Sequence, residues 1–260
     1  MDQTLHHCVC SLGYRVVNML QDVQMHGSGN RFLIHFGTTP IADLLGKLDG
    51  ADGLLVVQSD DNGVQMRIFN ADGKEAEQCG NGLRCVALHL VRSRCVRGNE
   101  VVINTLGGMC TCLVHEDRNE VEVSLCIPKL GPDACLVDSG ADTDLPELTF
   151  VNVGNPNAVL WTEEDPVSVR DRVGDEISNH PAFKKGMNVH VARRDGEQHA
   201  TVASWKRGVG PTLASGTGGA AVFVASSVEG PFYVSSIGGT LTYRFNDIGA
   251  IVKTGPASYV

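Results

Sequence analysis

The sequence lacks a long apolar run. No uninterrupted apolar segment approaches the roughly 20 residues that a membrane-spanning helix requires. Met1 to His7 include an acid and two histidines, without the basic start and apolar stretch of a secretory signal. We therefore expect a cytoplasmic protein with no membrane partner.

Concentrated positive charge is also missing. The chain has 21 Lys and Arg residues against 30 Asp and Glu residues, a formal charge of -9 at pH 7. Nucleic acids and anionic membrane surfaces are bound through clustered lysine and arginine. The expected partner is therefore a small diffusing molecule, and no nucleic acid.

The cysteines do not suggest disulfides or a metal site. There are nine, an odd number, in a chain without an export signal, so reduced thiols are expected. The pairs Cys8/Cys10 and Cys110/Cys112 have one intervening residue, whereas structural zinc sites usually have two to four. No metal is predicted, and most of these thiols should be small buried hydrophobes.

Short strand-like segments dominate the pattern and predict an α/β (α+β) fold. Each is rich in β-branched or aromatic residues, and most are bounded by Gly, Asn or Asp. Two helices are predicted, at Leu83 to Arg92 and at Thr217 to Ser226. The predicted strands are Phe32 to His35, Gly53 to Gln58, Val64 to Phe69, Glu100 to Asn104, Met109 to His115, Glu120 to Cys126, Thr149 to Val153, Asn188 to Arg193, His199 to Trp205 and Thr240 to Phe245.

The two predicted helices share an unusual beginning. One follows Cys79-Gly80-Asn81-Gly82 and the other follows Ser215-Gly216-Thr217-Gly218, and a strand precedes each turn. The same unit of strand, Gly-x-Gly turn and buried helix thus occurs once in each half, as in two related domains. The predicted halves are residues 1–128 and 129–249, since Pro128 and Gly131 interrupt the pattern between them, and a strand at about 250–260 is expected to return to the first half.

A glycine-flanked turn that opens a helix can bind an anion. It presents unpaired backbone N–H groups and the positive end of the helix dipole, which suit a carboxylate as well as a phosphate. A cysteine there has its thiolate stabilised and can act as a base or nucleophile. Two such turns facing one another would hold one carboxylate and place a side chain on each face of the adjacent carbon. The alternative is that Cys79 is only a packed cysteine beside a common turn.

Several motifs in this order resemble the diaminopimelate epimerase family. The asparagine-rich cysteine motif is the most specific of them, and the resemblance extends from about Gln24 to Val260. The first two dozen residues have no counterpart. The motifs are Met25-His26-Gly27-Ser28-Gly29-Asn30, Phe69-Asn70-Ala71-Asp72-Gly73-Lys74-Glu75-Ala76-Glu77-Gln78-Cys79-Gly80-Asn81-Gly82-Leu83-Arg84-Cys85, Gly154-Asn155-Pro156, Met187-Asn188 and Arg207-Gly208-Val209-Gly210.

The resemblance implies a fold and a reaction. Family members have two pseudo-symmetric halves, each a sheet curled around a central helix, with the active site between them. They are isomerases of lysine biosynthesis, commonly dimers, that epimerise an amino acid without pyridoxal phosphate or a metal. One cysteine thiolate removes the α-proton, and a second cysteine returns a proton to the opposite face.

Carried over by position, the resemblance makes Cys79 the catalytic thiol and assigns the ligand contacts. Asn30, Asn70, Asn155, Asn188 and Arg207 match side chains that hold the distal amino-acid end of the substrate. Gly80, Asn81, Gly216 and Thr217 match the turns that hold the reacting carboxylate. Arg207 suits a paired contact with a carboxylate. Taken singly, each asparagine could instead be an ordinary turn or cap residue.

The chain departs from the family pattern at catalytic positions. Ser215 stands where the family has its second cysteine, Asn157 where it has a histidine, and Lys206 and Pro211 where it has glutamates. The family's histidine and glutamate assist the proton transfers. A serine hydroxyl is a much weaker acid than a thiol, Asn157 cannot take up a proton, and Lys206 would be a base only if desolvated.

Three interpretations follow for Cys79 and Ser215. The first is an epimerase or racemase in which Cys79 removes the α-proton and Ser215, or a water it holds, returns one. The second is a single-thiol lyase or dehydratase of the same fold, in which a β-substituent leaves. The third is an inactive homologue that binds an amino acid. Replacement of a thiol by serine to trap a ligand is a further explanation for Ser215, but it leaves Asn157 and Lys206 unexplained.

Overall fold

The computed structural model describes residues 17, 20–60, 63–138 and 144–260. The described chain forms two compact units. The first comprises the described residues through Ser124 together with Thr254–Val260, and the second is Leu125–Lys253. These boundaries lie within a few residues of those suggested by the sequence. Cys8, Cys10 and the segment Met1 to His7 lie outside the described residues.

The first unit is a mixed sheet with a central helix. Its helices are α1 (Ile41–Leu45) and α2 (Gly80–Arg92). Its strands are β1 (Val23–Gly27), β2 (Asn30–Phe36), β3 (Gly53–Asp60), β4 (Gly63–Asn70), β5 (Glu75–Ala76), β6 (Glu100–Thr105), β7 (Gly108–His115), β8 (Glu120–Ser124) and β18 (Ser258–Tyr259). The order of the strands in the sheet is β18–β1–β2–β3–β4–β6–β7–β8, and β5 also pairs with β4.

The second unit is built in the same way. Its helices are α3 (Pro166–Ser178) and α4 (Gly216–Ser226), with one 3-10 turn at Asp133–Cys135. Its strands are β9 (Lys129–Leu130), β10 (Thr149–Asn152), β11 (Pro156–Trp161), β12 (Asn188–Gly196), β13 (His199–Lys206), β14 (Gly210–Thr212), β15 (Phe232–Ser236) and β16 (Gly239–Phe245). The order of the strands in the sheet is β9–β10–β11–β12–β13–β15–β16, and β14 also pairs with β13. Strand β17 (Ile251–Pro256) crosses the boundary between the units.

The strand pairings repeat from one unit to the other. From β1 to β7 they run antiparallel, parallel, antiparallel, parallel and antiparallel. From β10 to β16 the same sequence of pairings occurs. In each unit a short strand, β5 or β14, precedes the central helix. The predicted α/β fold with two similar halves is confirmed.

The central helices are buried because each is surrounded by the strands of its own unit. Helix α2 packs against β1, β2, β6, β7 and β8, and ten of its 13 residues are buried. Helix α4 packs against β10, β11, β12, β13, β15 and β16, and eight of its 11 residues are buried. A helix enclosed in this way needs apolar residues all round, which explains the small apolar sequence of α4.

The structure contains all ten predicted strands and both predicted helices, but some predicted bounds were wrong. The strand predicted to reach Cys126 ends at Ser124. Helix α2 begins three residues earlier than predicted, at Gly80, and α4 begins at Gly216, because the glycine turns are themselves the first turns of the helices. Helices α1 and α3 and strands β1, β5, β9, β11, β14 and β15 were not predicted. In the described part of the chain no helix is long and apolar enough to cross a membrane.

Candidate active site

Cys79 is the N-cap of α2. Its backbone is extended, with φ −140° and ψ 101°, and its Sγ accepts a hydrogen bond from the N–H of Gly82 at 3.4 Å. This satisfies one of the donors that a helix N-terminus leaves unpaired. The Cys79 side chain is half-buried, whereas Cys85, six residues further along, is fully buried. Burial raises the pKa of the Cys85 thiol to about 12, so Cys85 stays protonated.

Glycine at position 82 lets the start of α2 pack closely on the sheet. A Cβ there would lie 2.9 Å from Cδ1 of Leu55 on β3. The missing side chain lets the first turn of α2 lie directly on the sheet, and the N–H of Gly82 remains directed at the Cys79 sulfur. The Gly-x-Gly pattern therefore places the thiol where a helix N-terminus can stabilise its anion.

Asparagines surround this helix N-terminus in the first unit. Asn81 is buried, and its Nδ2 donates to Oδ1 of Asn30 at 3.1 Å. Asn30 in turn donates to Oδ2 of Asp52 at 3.4 Å. Oδ1 of Asn81 has no hydrogen-bond partner among the described residues. Asn70 is exposed at the end of β4, where its N–H and C=O close the turn with Gly73 and Lys74.

A buried arginine fixes the loop that carries Asn30. The Arg84 side chain is fully buried, and its Nη2 donates to Oγ of Ser28 at 2.9 Å. Its Nε donates to the carbonyl oxygen of Pro256 at 3.0 Å. Arg84 therefore ties helix α2 to the β1–β2 turn and to the end of β17. Its position within the cysteine motif was visible in the sequence, but this structural task was not predicted.

Ser215 is the N-cap of α4. Its φ and ψ are −135° and 113°, and its Oγ accepts a hydrogen bond from the N–H of Gly218 at 3.0 Å. Ser215, Gly216 and Thr217 are each half-buried. The hydroxyl thus has the same local position in the second unit that the Cys79 thiol has in the first.

Ligand candidates of the second unit lie close to one another. Nδ2 of Asn155 donates to Oγ1 of Thr217 at 3.4 Å. Asn188 donates through Nδ2 to the carbonyl oxygen of Pro156 at 2.8 Å and accepts at Oδ1 from the N–H of Arg207 at 3.1 Å. Arg207 is exposed, and its Nη1 donates to the carbonyl oxygen of Lys185 at 3.0 Å. A guanidinium has five N–H donors, and this bond uses one.

Asn157 and Lys206, two of the four residues that differ from those expected of the family, have different surroundings. Asn157 is completely buried, and its Nδ2 lies within hydrogen-bond distance of three oxygens of Val151 and Asn155. Its Oδ1 lies 3.0 Å from Nε2 of His190. Lys206, the last residue of β13, is exposed. Asn157 is therefore part of an internal hydrogen-bond network and Lys206 lies at the surface.

His190 was missed by the sequence analysis. It is buried on β12, and burial lowers its pKa to about 3, so the ring is neutral at physiological pH. A Cβ on Gly218 would collide with its Cε1 and Nδ1 atoms, which places the ring directly behind the first turn of α4. The available signal was a histidine within an otherwise apolar stretch, Val189 to Ala192.

The cysteines in the described residues are all free thiols. Cys110 and Cys112, which the spacing argument separated from zinc sites, are both buried on β7. Within residues 17, 20–60, 63–138 and 144–260, no group of three or more His, Cys, Asp or Glu side chains is arranged to hold a metal ion.

The family model and the curated relatives that match this chain carry the same description. The family model described as diaminopimelate epimerase matches residues 45–130 and 149–260. A diaminopimelate epimerase of Desulfitobacterium hafniense is 34% identical, over 93% of this chain and 96% of its own. A diaminopimelate epimerase of Sphingopyxis alaskensis is 37% identical, over 91% of this chain and 94% of its own. The relatives' names are those of isomerases.

Solved structures show the same fold at lower identity. A hydroxyproline epimerase from Agrobacterium vitis is 16% identical, covers 92% of this chain and 88% of its own, and has a TM-score of 0.64. A Bacillus anthracis phenazine biosynthesis protein of the PhzF family is 17% identical, covers 93% of this chain and 98% of its own, and has a TM-score of 0.63. With the family model matching most of its length, this chain belongs to the diaminopimelate epimerase family.

Proposed function

We propose that this chain epimerises an amino acid of the diaminopimelate type, without a cofactor, and that the Cys79 thiolate removes the α-proton. The observation that carries the proposal is the half-buried Cys79 sulfur at the N-terminus of α2, where it accepts the Gly82 N–H. A helix N-terminus favours an anion, and a thiolate is the form of cysteine that acts as a base. The names of the curated relatives support this reaction class.

The substrate would be held by the groups that match the family motifs. The proposed ligands of the first unit are Asn30, Asn70, Gly80 and Asn81, and those of the second are Asn155, Asn188, Arg207, Gly216 and Thr217. The first-turn N–H groups of α2 and α4 are donors for a carboxylate. The guanidinium of Arg207 suits a second carboxylate, because its planar donors match both oxygens.

The return of a proton is assigned to Ser215 or to a water that its hydroxyl holds. Cys79 takes the α-proton onto sulfur, the electron pair stays on the α-carbon, and a proton from the hydroxyl or water forms the new C–H bond. Both groups then exchange protons with solvent to restore the starting state. Because a hydroxyl is a weaker acid than a thiol, turnover should be slower than in an enzyme with two thiols.

A second candidate is elimination of a β-substituent after Cys79 removes the α-proton. Two observations favour it: serine at position 215, and Asn157, whose amide is fully engaged inside the second unit. Elimination needs one strong base and a leaving group, so it does not require a second thiol. This candidate predicts an alkene or keto acid product.

The test is incubation in D₂O with L,L- and meso-diaminopimelate and with amino acids that carry a leaving group on the β-carbon, which diaminopimelate lacks. Mass spectrometry follows deuterium at the α-carbon, chiral chromatography follows inversion, and absorbance follows any keto acid. Deuterium with inversion supports epimerisation, whereas keto acid or alkene from the β-substituted amino acids supports elimination. A rise in melting temperature with no label and no elimination product would identify a binding protein and reject both reactions.

Cys79→Ala provides the matched catalytic variant. It should bind diaminopimelate and lose α-deuteration by at least about a hundredfold, since a general base contributes about that much or more. Cys126→Ala is the control, because Cys126 is an exposed cysteine of the second unit outside the proposed site. Equal exchange in the wild type and in Cys79→Ala would reject the thiol as the base.

A further inference from the structure

A line of buried side chains runs from the interior of the second unit to the first turn of α4. Oγ of Ser204 lies 2.9 Å from Nδ1 of His190, and Nε2 of His190 lies 3.0 Å from Oδ1 of Asn157. Nδ2 of Asn157 is 3.0 Å from Oδ1 of Asn155, whose own Nδ2 donates to Thr217. Ser204, His190 and Asn157 are all less than 4% exposed.

Backbone oxygens identify which end of the Asn157 amide is the nitrogen. Its Nδ2 lies 2.7 Å from the carbonyl oxygen of Asn155 and 3.3 Å from that of Val151. Carbonyl oxygens only accept, so the group that faces them must be the amide nitrogen. The assignment of nitrogen and oxygen in this side chain therefore follows from partners whose chemistry is unambiguous.

The assignment of the Asn157 amide also indicates which tautomer His190 adopts. Since Oδ1 of Asn157 is an acceptor, Nε2 of His190 must carry a hydrogen. In the neutral ring Nδ1 then carries no hydrogen, and its lone pair accepts a hydrogen bond from the hydroxyl of Ser204. The ring is neutral at physiological pH because burial disfavours its charged form. One tautomer of His190 satisfies both neighbours.

The donor and acceptor roles assigned to Asn157 also fix those of Asn155. Its Oδ1 accepts from Asn157, so its Nδ2 is turned toward Thr217 and the half-buried start of α4. Because the hydroxyl of Thr217 accepts from Asn155, its own hydrogen remains a donor. Asn155 and Thr217 thus present N–H and O–H donors, which match a group that only accepts, such as a carboxylate.

We propose that His190 is a positioning residue which, through Asn157, holds the amide of Asn155 in the orientation that selects a substrate carboxylate. This inference depends on the proposed function, in which Asn155 and Thr217 contact the substrate. It also gives a shared role to Ser204 and His190, which are buried on β13 and β12.

The first test needs no ligand. In ¹⁵N-histidine-labelled wild-type protein, long-range ¹H–¹⁵N spectra at pH 7 should show His190 as the neutral Nε2–H tautomer, with assignment by comparison with His190→Gln. A neutral Nδ1–H tautomer, or a charged ring, would overturn the proposal. This result is independent of whether Cys79 is the catalytic base.

The second test measures binding of meso-diaminopimelate by calorimetry. His190→Met removes the donor to Asn157 and should raise Kd about tenfold, the effect of losing about one oriented hydrogen bond. His190→Gln offers a side-chain N–H in place of Nε2–H and should remain within about threefold of the wild type. His199→Met is the control, because His199 is bonded to Ser235 outside this line.

The outcomes separate the two proposals. If the wild type does not bind meso-diaminopimelate, the proposed function fails, and the tautomer spectrum still decides the state of His190. If His190→Met and His190→Gln, both folded by circular dichroism, lose equal affinity, the directional role of His190 is rejected. If His190→Gln keeps its affinity for meso-diaminopimelate and His190→Met loses it, the directional role of His190 is supported. A side chain that only fills space would not depend on an N–H donor.

Discussion

Cys79 and Ser215 have the same backbone geometry in the two units. Both are N-caps with extended backbones, at φ −140° and ψ 101° for Cys79 and φ −135° and ψ 113° for Ser215. The side chain of each accepts the N–H of the glycine three residues later. The two N-caps therefore differ in the chemistry of the side chain, a thiol in one unit and a hydroxyl in the other, and not in their local backbone.

Ser215→Cys should increase α-deuteration of diaminopimelate in D₂O. A thiol at this N-cap would receive the same Gly218 N–H and would supply a far better acid than a hydroxyl. We expect the exchange rate to rise on the order of a hundredfold, which is typical of gaining a positioned acid or base. The measurement is initial-rate mass spectrometry at equal protein concentration.

Ser236→Cys is the control for this gain. Ser236 is a partly buried serine at the end of β15, and its hydroxyl donates to the carbonyl oxygen of Gly239. The Ser236→Cys variant introduces a thiol into the same unit without changing the N-cap of α4. An equal gain in both variants, or no gain in a folded Ser215→Cys protein that binds ligand, would contradict a proton-transfer role for position 215.

Cys79 should be alkylated much faster than Cys85. Cys79 is half-buried at the helix N-terminus, whereas Cys85 is completely buried and burial raises its pKa to about 12. At pH 7.5 we expect iodoacetamide to modify Cys79 at least about a hundredfold faster, because the thiolate is the reactive form. Peptide mapping measures both rates, and urea should abolish the difference. Comparable rates in the folded protein would show that the Cys79 thiol is not accessible as a nucleophile.

Much of this arrangement follows from local sequence. The glycines of Cys79-Gly80-Asn81-Gly82 and Ser215-Gly216-Thr217-Gly218 indicated two helix N-termini, and both helices begin there. The ten predicted strands were visible because β-branched and aromatic residues are concentrated in them. The family assignment came from motif order and is confirmed by the family model. The roles of the individual site residues stay predictions.

Other features depend on contacts that a sequence does not display. Helix α3 was missed although Asp165 and Pro166 form a good N-terminus, and it contains Gly174, a poor helix former, in its middle. In the structure Gly174 packs directly against the Trp205 ring, where a Cβ would lie 2.9 Å from Cε3. His190 was missed for a similar reason: its partners Asn157 and Ser204 are 33 and 14 residues away.

His190 should make the protein less stable as the pH falls below about 6.5. The unfolded chain binds a proton near that ordinary histidine pKa. The native ring, whose pKa is lowered to about 3, does not, so stability rises with pH between these values. Between pH 7.5 and 5.5 this group should cost about 1.4 kcal/mol of unfolding free energy. Urea unfolding of wild type and His190→Gln at both pH values measures the difference.

The comparison isolates His190 because other titrating groups contribute equally to both proteins. The loss on acidification should be about 1.4 kcal/mol smaller in His190→Gln than in the wild type. Identical losses in wild type and His190→Gln would mean that the native ring is protonated as readily as the unfolded one.

Gly218→Ala should destabilise the second unit although alanine is the better helix former. The new Cβ would collide with the buried His190 ring and lie 2.9 Å from the Cβ of Ser215. Overpacking of this kind costs about 1 to 3 kcal/mol, against a helix-propensity gain of up to about 1 kcal/mol. Gly46→Ala is the matched control, because Gly46 has helical φ and ψ and no atom within 4 Å of its added Cβ. It should be neutral or stabilise by up to about 1 kcal/mol. Urea unfolding at pH 7.5 measures both, and a Gly218→Ala protein as stable as Gly46→Ala would show that His190 does not pack against the first turn of α4.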